Sequence, residues 1–109
     1  MATPSEPKLL ESRPLEARLA EFARERDWDR FHTPRNILLA LTGEVGELAE
    51  IFQWLDDAQA EAIMQTTKAE HVRQEVADVL LYLVRLAMVL EIDLDAAVRE
   101  KIRLNALKY

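Results

Sequence analysis

Two stretches of this chain place apolar residues at alternating intervals of three and four, the spacing that brings side chains to one face of an α-helix. The first stretch, within residues 34–55, carries Ile37, Leu41, Val45, Leu48, Phe52 and Leu55. The second, residues 76–90, is apolar around nearly its whole circumference, which is typical of a buried helix. Strand-like alternation is absent, and Gly and Pro are few. The chain is therefore expected to be all-α, as a bundle of four main helices.

Capping signals predict where the helices begin. Thr33 offers a hydroxyl before Pro34, and proline is favoured at the first helical position because its missing N–H is not needed there. Thr67 followed by Glu70 is a capping-box pattern, and Asp93 is a capping residue for the last helix. The predicted helices cover residues 14–27, 34–55, 67–90 and 94–107, with a short helical turn around residues 60–64.

The length of the chain limits its domain number and favours self-association. With 109 residues there is room for one domain, and a chain this short buries a limited fraction of its own surface. We therefore expect an oligomer. Residues 1–12 contain Pro4, Pro7 and scattered charge, so they are predicted to form a flexible lead-in to a domain at residues 13–109.

Charge and composition exclude several classes of partner. The net charge of −6 argues against non-specific nucleic-acid binding, because such binding needs a basic face. Without cysteine the chain forms no disulfide and has no thiolate chemistry. Arg85 interrupts the longest apolar run, which falls short of the roughly 20 residues of a membrane span, and no apolar signal core is seen. We expect a cytoplasmic protein with no nucleic-acid or membrane partner.

Four carboxylates give the strongest indication of a functional site. Glu44 and Glu47 are three residues apart on one predicted helix, and Glu75 and Asp78 are three apart on another. Residues at i and i+3 project to the same side of a helix, so two such pairs on facing helices can surround one or two hard cations. Asp78 lies in an apolar segment with no Lys or Arg between residues 73 and 85, so a bound metal would explain an ionised carboxylate there.

Other interpretations of these carboxylates remain open. They could form a solvated acidic helix face, or belong to a di-iron bundle. The di-iron site uses Glu-x-x-His, however, and the third residue after Glu75 is Asp78, which favours Mg²⁺ over iron. The chain could also be a helical interaction module, or could bind a nucleotide without cleaving it. Glu50 is either an outer ligand or a surface charge, and His71 is interpreted as a surface residue.

Three segments of the sequence together resemble one known family. They are FARERDW at residues 22–28, FHTPRNILLALTGEVGELAEIFQW at residues 31–54 and EVADVLLYLV at residues 75–84. The Glu-x-x-Glu and Glu-x-x-Asp motifs, in this order, are similar to those of the MazG-like, all-α nucleoside triphosphate pyrophosphohydrolases. The flanking residues resemble the deoxycytidine triphosphate (dCTP) pyrophosphatase branch of that family. Either motif by itself would be weak, and the resemblance covers roughly residues 15–109.

The resemblance implies an activity, a cofactor and an assembly. The reaction would be Mg²⁺-dependent hydrolysis of a (deoxy)nucleoside triphosphate, dCTP or a modified pyrimidine analogue, to the monophosphate and pyrophosphate. By resemblance, Glu44, Glu47, Glu75 and Asp78 would hold the metal, and Glu47 would also orient or deprotonate the attacking water. The family also implies a homotetramer built as a dimer of dimers, with Trp54 reaching into a neighbouring subunit's pocket.

The resemblance also implies which residues bind the nucleotide. Trp28, His32 and Trp54 would form a platform for the base, and Tyr82 would pack on the sugar. The first helix carries Leu19 where vertebrate members of the family have a histidine near the base, so the preferred base is left open. The expected contacts to polar edges and phosphates come from Arg35, Asn36, Lys101 and Asn105.

Overall fold

The computed structural model describes residues 7–109, and every regular element within this range is helical. The all-α class predicted from the sequence is therefore confirmed. Two single 3₁₀ turns, Asp29–Phe31 and Ile63–Gln65, lie in the connections. The α-helices are α1 (Arg13–Glu25), α2 (Pro34–Phe52), α3 (Asp57–Glu61), α4 (Ala69–Val89) and α5 (Leu94–Lys108).

Side-chain caps fix the starts of α2 and α5 as predicted. The Thr33 hydroxyl accepts a hydrogen bond from the backbone N–H of Asn36 at 3.2 Å, with Pro34 as the first helical residue. A carboxylate oxygen of Asp93 accepts the N–H of Ala96 at 3.0 Å. Because each cap satisfies an N–H that has no partner within the helix, these local signals determine the helix starts.

The capping box predicted at Thr67 and Glu70 is wrong. Helix α4 begins one residue later than that pattern requires, after Lys68, and has no side-chain cap. The hydroxyl of Thr66 accepts the N–H of Lys68 at 3.2 Å and donates to the carbonyl of Ile63 at 2.6 Å. The 3₁₀ turn before α4 therefore ends in a bonded Thr66, and the chain enters the helix from that turn.

The apolar core is small and is built mainly between α2 and α4, which form the most extensive helix–helix interface. Helix α1 packs on α4, whereas α5 contacts the other helices only sparsely. The radius of gyration is 17.2 Å, against about 13 Å for a compact chain of this length. Within residues 7–109 the buried apolar residues are Ala23, Ile37, Ile63, Val72, Val84 and Ala87.

Helix α4 is not buried on all sides, which corrects the expectation from its apolar sequence. Val76, Leu80 and Leu83 remain 51 %, 48 % and 44 % exposed, because α2 and α1 cover only part of its circumference. None of the helices within residues 7–109 is both long and apolar enough to cross a bilayer. A single copy therefore leaves a large apolar surface of α4 in contact with water.

The segment before α1 is held against the start of α5. The backbone N–H groups of Leu9 and Leu10 donate to one carboxylate oxygen of the buried Asp95, at 2.7 and 3.0 Å. Arg99 donates to the other oxygen at 3.0 Å. The flexible lead-in expected at residues 1–12 stays a prediction, and its first six residues lie outside the described range.

Candidate active site

Three of the four predicted metal ligands meet where α2 packs on α4. Glu44 comes from α2, and Glu75 and Asp78 come from α4. One carboxylate oxygen of each lies within 4.8 Å of the others, a separation that a single cation can bridge. Glu75 is buried, whereas Glu44 and Asp78 are half-buried. The helix–helix interface that forms the core therefore also assembles this acidic cluster.

The carboxylates of the cluster make one another harder to ionise. The pKa of the Glu44 carboxyl is raised to about 7, first by the hydrogen bond that its protonated form makes with Glu75, then by loss of solvation, by a hydrogen bond with Glu47 and by the charges of Glu47 and Asp78. The Oε2 atoms of Glu44 and Glu75 are buried and have no hydrogen-bond partner. Buried carboxylate oxygens normally have partners. An all-oxygen donor set with two such atoms fits a hard divalent cation such as Mg²⁺.

Glu47 lies beside Glu44 but outside the group of three clustered carboxylates. It is exposed, and although it is close enough to raise the pKa of Glu44, it is not among the residues whose oxygens lie within 4.8 Å. It lines an adjoining cavity of about 520 Å³ together with Glu50, Trp54 and Lys68. Trp54 is 85 % exposed, so its indole is available for contacts outside the chain.

Two basic residues face this first cavity. His71, interpreted from the sequence as a surface residue, is exposed, but its Nε2 lies 3.5 Å from Oε1 of Glu75. Lys68 was not identified from the sequence, although its position seven residues before Glu75 places it on the same face two helical turns earlier. The first cavity therefore combines acidic and basic side chains beside the cluster.

A second cavity, of about 240 Å³, is lined in part by Asp78. Trp28, His32 and Tyr82 line it as the resemblance implied, and Leu19 lies in its wall. The rings of Trp28 and His32 have centroids 5.7 Å apart, and Phe22 packs edge-on against Trp28 with centroids 5.3 Å apart. An aromatic cavity next to a carboxylate cluster can hold a nucleobase while its phosphates reach the metal ligands.

The remaining predicted contacts do not gather at the cluster within one chain. Arg35 and Asn36 are exposed at the start of α2, and the Asn36 side chain donates to the Phe31 carbonyl at 3.0 Å. Lys101 and Asn105 lie on α5 and line neither of the two cavities. Their roles in binding stay predictions.

Two packed helices that join carboxylates from Glu-x-x-Glu and Glu-x-x-Asp motifs in an all-α chain define the MazG-like class of proteins. The sequence model of the MazG-like family matches residues 40–109, a range that contains all four carboxylates. The chain belongs to this family.

Particular members of the family are similar over most of the chain. Sequence identity is 50 % to dCTP pyrophosphatase 1 of Rattus norvegicus and 48 % to that of Homo sapiens, each over 105 residues. These matches cover 95 % of the chain, which spans about 60 % of the length of either relative. A solved pyrophosphatase from Archaeoglobus fulgidus is 36 % identical with a TM-score of 0.84, and the match covers 97 % of this chain and 98 % of that one.

Proposed function

We propose that this chain is a Mg²⁺-dependent pyrophosphohydrolase of (deoxy)nucleoside triphosphates, with dCTP or a modified pyrimidine analogue as substrate. The products would be the monophosphate and pyrophosphate, and the role would be to remove such nucleotides in the cytoplasm before a polymerase uses them. The observation that carries the proposal is the three-carboxylate cluster, with its two unpartnered buried oxygens and with Asp78 in the wall of the aromatic cavity. The names of the relatives support the same substrate.

The cluster supplies the metal ligands. Glu44, Glu75 and Asp78 would hold Mg²⁺, and Glu47, one turn after Glu44, is the fourth carboxylate available to it. When bound, the cation would neutralise the triphosphate and polarise the phosphorus under attack. Carboxylates held by two packed helices would also keep the cation fixed relative to the aromatic cavity that Asp78 lines.

The other side chains position the substrate and the attacking water. Glu47 is exposed, so its carboxylate can orient a water molecule and accept its proton. Trp28 and Tyr82 would bind the base and sugar in the second cavity. Arg35, Asn36, Lys101 and Asn105 would contact polar edges and phosphates.

We also propose that the active species is a homotetramer, built as a dimer of dimers. The apolar side chains exposed on α4 and α5, among them Leu80 and Ile102, offer a surface that a second copy can bury. Trp54 would then reach the pocket of a neighbouring subunit. Light scattering after gel filtration tests this, and a monomer at micromolar concentration would contradict it.

Product analysis of the purified chain tests the activity. A panel of canonical and modified nucleoside triphosphates is incubated with and without Mg²⁺, and monophosphate and pyrophosphate are measured. We expect both products with metal only. Asp78→Asn and Glu75→Gln should lower turnover more than about 100-fold, whereas Glu70→Gln, an exposed carboxylate on the same helix, should not change it. Nucleotide binding without turnover would instead favour the non-catalytic binding module.

A further inference from the structure

One buried cation lies outside the roles assigned so far. Arg85, on α4, is only 9 % exposed, and its guanidinium makes two hydrogen bonds to the loop between α1 and α2. Its Nε donates to Nδ1 of His32 at 3.0 Å, and its Nη2 donates to a carboxylate oxygen of Asp29 at 2.7 Å. Arg85 thus joins the middle of the fold to the loop that carries the aromatic wall of the second cavity.

The contact with Arg85 determines the protonation state of His32. Arginine is always charged and has no acceptor, so the imidazole nitrogen that faces it must carry a lone pair. His32 is therefore neutral, with its proton on Nε2. The pKa of His32 is lowered in agreement with this state, first by burial and then by the Arg85 charge, against a smaller opposing effect of Asp29.

The Nε2–H of His32 is available to a ligand in the second cavity. His32 lines that cavity with Trp28, Tyr82 and Asp78. Its Nε2 has no hydrogen-bond partner within residues 7–109, and it is not among the buried polar atoms that lack one, so it faces open space. The same wall carries the polar side chains of Asp78, Tyr82 and Arg85 beside the apolar residues Leu19, Phe22 and Leu81. A neutral donor held in a fixed direction in such a wall can discriminate between bases that differ in their donors and acceptors.

We propose that Arg85 is a positioning residue that sets the base preference of the site, by holding His32 as a neutral hydrogen-bond donor toward the base. This inference rests on the proposed function, in which the second cavity binds the base. Cytosine offers an acceptor at N3, which an Nε2–H can meet. Uracil carries an N–H at position 3, which opposes that donor. The site is therefore selective for cytosine over uracil nucleotides.

A purely structural role for Arg85 makes a different prediction. If Arg85 only fixed the loop to α4, its loss would weaken binding of every nucleotide equally and lower thermal stability. A positioning role changes the ratio of affinities between the two bases. The base ratio therefore separates the two roles.

Binding of non-hydrolysable substrates measures that ratio without turnover. Dissociation constants for α,β-imido-dCTP and α,β-imido-dUTP are measured with Mg²⁺ by tryptophan fluorescence. Wild type should favour the cytosine compound, and Arg85→Ala should reduce that preference by up to about 10-fold, the effect of one lost neutral hydrogen bond to the base. Arg73→Ala, an exposed arginine on the same helix, should leave it unchanged. An unchanged ratio in Arg85→Ala, a uracil preference in wild type, or no binding of either compound would overturn the inference.

Variants of His32 keep the test decisive if Arg85→Ala does not fold. His32→Gln places a carbonyl oxygen toward Arg85 and an N–H toward the cavity, so it should retain the cytosine preference. His32→Ala should lose it. In the double variant with Arg85→Ala, the preference should fall no further than in His32→Ala, because both changes remove the same donor. Independent, additive losses would contradict action through His32.

The protonation state of His32 can be observed directly. The chain has two histidines, so ¹⁵N–¹H correlation spectra at pH 7.5 resolve both rings. We expect a protonated Nε2 and an unprotonated Nδ1 in wild-type His32, and averaged tautomers in Arg85→Ala. A protonated Nδ1 in wild type would refute the inference. Absence of turnover by a chain that shows the expected tautomer and base ratio would instead refute only the proposed hydrolysis.

Discussion

Mg²⁺ binding at the carboxylate cluster should depend steeply on pH. Because the pKa of Glu44 is raised to about 7, a proton competes with the cation near neutral pH. For a single group with this pKa, the ionised fraction falls from about nine-tenths at pH 8 to about one-tenth at pH 6. The apparent affinity for Mg²⁺ should therefore fall about 10-fold over these two pH units, and the apparent pKa belongs to the coupled cluster as a whole.

Isothermal titration calorimetry of Mg²⁺ into the nucleotide-free protein measures this dependence. Repeating the titration in buffers of different ionisation enthalpy counts the released protons, which should be close to half a proton per site at pH 7. The Glu44→Gln variant should bind Mg²⁺ more weakly than wild type, and its affinity for Mg²⁺ should depend little on pH. Because His71 lies 3.5 Å from Glu75, His71→Gln is the control that should keep the 10-fold change. A constant affinity from pH 6 to 8, or a 10-fold change retained in Glu44→Gln, would refute the reasoning.

The same raised pKa predicts the sign of a stability change. The folded state holds a proton on the cluster between the ordinary value of 4.5 and about 7, where the unfolded chain has released it. Stability increases with pH only where the unfolded state binds more protons, so this group makes the metal-free protein less stable as pH rises through that window. Saturating Mg²⁺ should remove the trend, because the cation compensates the ionised carboxylates.

Three further predictions concern the fold and the pocket. The Ile37 side chain is 1 % exposed, so Ile37→Ala should lower the free energy of unfolding, measured by urea titration, by about 2–5 kcal/mol. The smaller change Ile37→Val should lower it by about 0.5–1.5 kcal/mol. Equal losses for the two variants would contradict the core position of Ile37. Thr33→Ala should cost about 1 kcal/mol through the lost cap, whereas Thr42→Ala, whose hydroxyl only bonds back to a carbonyl in its own helix, should not destabilise. Trp54→Ala should raise KM with the fold intact, and an unchanged KM would remove this residue from the pocket.

Helix positions could be predicted from the sequence because they depend on local interactions. The apolar spacing and the caps at Thr33 and Asp93 act within one or two turns, so they operate in the same way whatever the rest of the chain does. The Thr67 cap failed because Thr66 already bonds to the preceding turn, and a competing local bond of that kind is not visible in the residue pattern.

The candidate site could be predicted in part. The spacing of Glu44, Glu75 and Asp78 on two helices identified the cluster, since i, i+3 geometry fixes the side of each helix. It did not show that Glu47 would lie outside the group of three, because that depends on how α2 rotates against α4. Nor did it identify Lys68, which faces the first cavity from the start of α4.

The sequence by itself determined the helical class, most helix boundaries and the acidic motifs, because these depend on neighbours within a few residues. Tertiary structure alone decided which face of α4 stays uncovered and which carboxylates meet. It also decided that Arg85 bonds to His32, 53 residues away along the chain. The guanidinium of Arg85 becomes buried only when α4 packs against the loop before α2. The same packing brings it to His32 and so requires a lone pair on the imidazole nitrogen. No local signal couples residues so far apart in the sequence.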